Sequence, residues 1–81
     1  MSDLNRLYPR HAEAVTPSDS VVHNYIALWV GGAGTVALKL AGDTVAVNFV
    51  AVPAGSFLPV QTMYVMSTGT TATNIVGLRA N

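Results

Sequence analysis

Turn-forming residues cut this chain into apolar pieces too short to be helices. Gly31-Gly32-Ala33-Gly34, Gly42-Asp43-Thr44, Pro53-Ala54-Gly55-Ser56 and the polar run from Ser67 to Thr73 recur at short intervals. The pieces between them carry a two-residue rhythm. Val36, Leu38 and Leu40 share one side of their segment, and Thr35, Ala37 and Lys39 share the other. Tyr25 to Val30 is apolar on both alternating faces, Tyr25/Ala27/Trp29 against Ile26/Leu28/Val30, as in a strand covered on both sides. The Gly31–Gly34 run then reads as a hairpin turn. Val45 to Val52 returns through a second hairpin, Phe57 to Met66 reads as a fourth strand with Pro59 bending its start, and Asn74 to Leu78 is the last. The pattern predicts an all-β fold, a small antiparallel sandwich or barrel of jelly-roll-like form.

Charge divides the chain differently. From residue 24 to residue 81 only Lys39, Asp43 and Arg79 are formally charged, whereas Asp3, Arg6, Arg10, Glu13 and Asp19 all precede residue 20. A free soluble domain carries roughly a quarter to a third charged surface residues, so much of this surface is expected to meet protein. Residues 1–23 read as an extended N-terminal arm and residues 24–81 as the β domain. Pro9 and Pro17 interrupt the arm, and Leu4, Leu7, Tyr8 and Val15 are its candidate anchors.

An 81-residue chain buries a marginal core unless something reinforces it. Without cysteine it has no disulfide or thiolate zinc site, and His11 and His23 alone make a structural metal an unattractive alternative. Self-association is the expected reinforcement. The zero formal net charge argues against nucleic acid, since Arg6 and Arg10 stand among acids and form no basic patch. Tyr25 to Val30 is far short of the ~20 residues that cross a bilayer. The opening Met-Ser-Asp-Leu-Asn lacks a signal-peptide pattern, so synthesis in a cytoplasm is expected.

Catalytic patterns do not assemble. Gly31-Gly32-Ala33-Gly34 lacks the Lys-Ser/Thr of a phosphate loop, and Ala37 stands where a dinucleotide loop needs its third glycine. Ser18, Asp19 and His23 have the letters of a hydrolase triad, but neighbours in sequence are poorly placed for its geometry. No catalytic residue, cofactor or metal ligand is assigned, and an enzyme is not expected. Large apolar side chains are better candidates: Tyr25, Ala27, Trp29 and Tyr64 form a candidate subunit interface. The same aromatics, with Phe57, could instead stack on sugars.

Several segments together carry a resemblance. They are Ala14-Val15-Thr16-Pro17-Ser18-Asp19, Ala27 through Gly34, Gly42-Asp43-Thr44-Val45, Val52 through Val60 and Thr68 through Val76. In this order they resemble the small spike base proteins of tailed phages and of the phage-like gene transfer agents of alphaproteobacteria. The chain departs from that family at Gln61-Thr62-Met63-Tyr64, where basic residues are common, and at Gly77-Leu78-Arg79-Ala80-Asn81. The resemblance implies a non-enzymatic virion protein on a capsid surface, a homo-oligomer (trimer or pentamer) bound to the major capsid protein and able to carry a spike fibre. Capsid cement at local threefold sites, a tail or baseplate adaptor and a carbohydrate-binding module are the alternatives.

Overall fold

The computed structural model describes residues 8–80, which form strands and loops without a helix. Seven strands are present: β1 His11–Ala14, β2 Ala27–Gly32, β3 Gly34–Leu40, β4 Val47–Val52, β5 Ser56–Leu58, β6 Thr62–Val65 and β7 Thr73–Arg79. They build two antiparallel sheets, of order β1-β7-β2-β5 and β4-β3-β6. The all-β sandwich expected from the turn spacing is the observed architecture.

Leu28, Val30, Val36, Leu38, Val65 and Ile75 meet between the layers, with the Tyr25 ring among them. The β-branched valines and Ile75 and the Tyr25 ring among them suit a half-covered pleated surface. Each fully buried Leu or Val side chain contributes about 1.5–3 kcal/mol to stability.

Three local expectations are corrected. The Gly31–Gly34 run does not make a hairpin, because β2 and β3 lie in different sheets. Gly31 and Gly32 end β2, Gly34 opens β3, and Ala33 alone turns the corner. That corner needs glycine: Gly34 has φ 153°, and a Cβ there would stand 2.7 Å from the Ala72 amide nitrogen. Secondly, the single strand expected over Phe57–Met66 is two. Pro59, which has no N–H to donate, ends β5 in one sheet, and the chain crosses to begin β6 in the other.

The third correction concerns the Tyr25–Val30 alternation. Regular β2 begins only at Ala27; before it Tyr25 bridges Thr62, and the Ile26 N–H bonds the Leu78 carbonyl at 2.8 Å. This irregularity breaks the two-residue phase. Tyr25 therefore joins Leu28 and Val30 inside, while Trp29 points out.

The leader is more structured than its sequence suggested. His11–Ala14 forms β1 on the edge of β7, without a periodic pattern to announce it. Residues 18–25 then run along the free side of β6, with Ser18 N–H to Val65 O at 2.8 Å and His23 N–H to Met63 O at 2.6 Å.

Candidate assembly surface

Two polar clusters fix the frame on which the surface is built. In the first, both Asp19 carboxylate oxygens receive bonds from the 67–73 loop: Ser67 N–H at 2.9 Å, Thr68 N–H at 3.0 Å and Thr68 Oγ1–H at 2.6 Å. The Thr68 hydroxyl first, then the Thr68 and Ser67 amides, hold the Asp19 carboxyl below its ordinary range. The loop in turn replaces a missing stretch of strand beside β3. Thr35 N–H donates to Thr71 Oγ1 and Ala37 N–H to Thr70 Oγ1, each at 2.9 Å. The Thr-rich composition of this loop is thus structural: its hydroxyls act as acceptors for β3 amides. Ala37, on the outer side of β3, is buried beneath it.

The second cluster fastens β1. Arg79 Nε stands 2.8 Å from Glu13 Oε1, an ion pair between two partly exposed side chains. Tyr25 lies beside this pair and stacks on His23, ring centroids 4.6 Å apart and planes 19° apart. Burial pushes the Tyr25 phenol above its ordinary range, the Glu13 carboxylate adds to the rise, and Arg79 opposes it. Glu13, His23, Asn24, Tyr25 and Arg79 line a shallow cleft here. Among the described residues no group of three or more His, Cys, Asp or Glu side chains gathers as for a metal ion.

The four residues expected at a subunit interface have separate fates. Tyr25 is 1% exposed and Ala27 is also buried, so both pack within their own chain. Tyr64 is half-buried with the Lys39 Nζ 4.7 Å from its ring centroid, a cation–π contact. Trp29 remains outward and 44% exposed. Of the arm anchors, Val15 packs against the core, Tyr8 is exposed, and Leu4 and Leu7 lie outside the described residues.

What the sequence did not reveal is who stands beside Trp29. Ala14, Val76, Trp29 and Phe57 occupy matching register positions on β1, β7, β2 and β5, an apolar row across the whole outer face of the four-stranded sheet. Phe57 is 53% exposed. Beyond it, Tyr8, Phe57, Pro59 and Gln61 border an apolar cleft of about 400 Å³.

A second apolar surface follows β4. Val45 and Val50 are each 72% exposed, and Val47 is exposed as well. Among the other edges, residues 18–25 line β6, β5 stops after three residues at Pro59, and β1 is four residues long and carries Glu13. Strand β4 is six residues long and carries no charge. A bulge marks its far end, where Gly34↔Val52 and Val36↔Phe49 leave one extra residue on β4 and Ala51 takes φ 59°. Uncharged exposed edges of this kind invite pairing with another chain.

A solved structure described as the capsid of a native gene transfer agent particle, computed with C5 symmetry, contains a chain of the same shape. The two agree with a TM-score of 0.76 and 36% sequence identity, over 88% of this chain and 83% of that one. This chain belongs to that phage-like, capsid-associated family. No protein-family model and no curated protein matches the sequence. The likeness covers 88% of this chain, so the two-sheet architecture is one shared with a capsid-associated protein.

Proposed function

We propose that this protein is a non-enzymatic structural component of a phage-like particle, forming a ring on the capsid surface that serves as the base of a head spike. The observation that carries the reading is the likeness to a gene transfer agent capsid chain at 36% identity over 88% of this chain. Support comes from the spike-base-like segments, which fall at the structural corners: Asp19 clamps the 67–73 loop, and Gly34 and Gly55 take positive φ at sheet crossings. The charge-poor domain supports burial against protein.

In this reading the ring binds the major capsid protein on one side and a fibre on the other. The ring in this reading is a trimer or a pentamer. The arm that precedes β1 makes the capsid contact, within the 1–23 arm and 24–81 domain division. The test is mass spectrometry and affinity labelling of purified particles. A spike base is recovered in small, fixed copy number and labels vertices. Uniform labelling of the capsid surface would point to cement instead, labelling at the tail to a baseplate adaptor, and absence from the particle would remove the virion reading altogether.

A further inference from the structure

We infer that neighbouring subunits of this ring meet through two unlike surfaces, the open β4 side of one copy seated on the Trp29–Phe57 row of the next; the inference rests on the ring proposed above. The occupant of each surface is therefore a second copy of this chain.

The argument begins with symmetry. A closed ring of more than two copies needs a heterologous contact, in which two different patches of each subunit meet. The fold presents two separate apolar patches. One is the outer face of the four-stranded sheet, where Trp29 and Phe57 are direct cross-strand neighbours. The other follows β4, in the three-stranded sheet. The outer face points away from the layer that holds β4, so one patch cannot cover the other within a single chain.

Chemistry and size agree with this pairing. Neither patch holds a charged side chain, so neither selects a charged partner, and each suits the other. Val47 and Val50, on opposite faces of the β4 edge, and Val45 before it offer small ridges, and Phe57 and Pro59 line a recess on the other patch. A stable contact takes about 800 Å² from each partner. Two contacts per ring subunit then cover roughly a third of the 4915 Å² surface. A module with three charges after residue 23 has the uncharged surface such coverage requires.

The chain has no cysteine, which makes cross-linking clean. Single variants Val50→Cys and Phe57→Cys are refolded together and oxidised. A disulfide-linked dimer from the mixture, with none from either variant alone, is the expected result. In parallel, Val50→Lys and Phe57→Glu are each expected to weaken ring association about tenfold or more, and the double variant to recover it. Both positions are exposed, so unchanged thermal midpoints of the dissociated variants establish that folding is intact.

Rings that persist in both charged variants overturn this contact while the ring itself stands. Cross-linking of Val50→Cys with itself overturns it in favour of symmetric β4 pairing. A wild-type protein that remains monomeric by light scattering at every concentration overturns the ring along with the contact.

Discussion

Single side chains set the sandwich's tolerances, and two glycines separate packing from conformation. The Tyr25 ring lies flat against Gly77, where any Cβ would overlap it, whereas a Cβ at Gly42 meets nothing within 4 Å. Gly77→Ala is therefore expected to cost about 1–3 kcal/mol, by overpacking a filled core. Gly42→Ala should stay within about 0.5 kcal/mol of the parent. Urea unfolding of the pair checks both, and equal midpoints would refute the Tyr25–Gly77 contact. Leu28→Ala, at the centre of the core, is expected to remove about 2–5 kcal/mol, a large part of what holds so small a domain.

Asp19 gives the residue scale a pH dependence. Its carboxyl sits below the ordinary range in the folded chain because Thr68 and Ser67 bond the charged form. The folded state thus binds fewer protons there than the unfolded state. The resulting stability is present above the ordinary carboxylate range and is lost as pH falls through the folded value. Asp19→Asn should flatten this acid limb of the stability curve and lower the melting temperature at neutral pH. Identical pH profiles for parent and variant would exclude the clamp.

At the scale of elements, the decisive events are strand edges. β1 closes one side of β7 through four register pairs and the Glu13–Arg79 ion pair. The ion pair is partly exposed and contributes only about 0–1 kcal/mol; the backbone ladder matters more. Removing residues 1–9 leaves β1 in place, while removing residues 1–14 strips it and bares β7. The shorter deletion should keep the parent's melting temperature and weaken only particle attachment. The longer one should melt earlier and aggregate, as measured by scattering during a thermal ramp. If both melt alike, β1 contributes nothing to the module.

For the whole molecule, stability and assembly draw on the same shortage. A two-layer core of this size is small, and the surface around it is poor in charge; in the proposed ring, neighbouring subunits supply what the monomer lacks. The expected consequence is a melting temperature that rises with protein concentration, as binding favours the folded subunit by mass action. A midpoint constant over a hundredfold dilution would mean that subunit contacts add nothing to stability.

The sequence by itself determined the class of fold. Recurrent glycine, proline and aspartate turns, with alternating apolar residues between them, leave few solutions other than a small antiparallel sandwich, because each signal is local. It also determined that the stretch after residue 23 is poor in charge, the basis for expecting it to meet protein, because charge is counted without knowing where anything points. Only the tertiary structure decided which way Tyr25 and Trp29 face, since one irregularity before Ala27 resets the side-chain phase of the strand. The apolar row from Ala14 to Phe57 was equally hidden, as it joins residues from four strands far apart in the chain. Strand β1 had no periodic signal of its own. It exists because β7 offers an open edge, and the pairing of distant backbone groups leaves no mark in either segment alone.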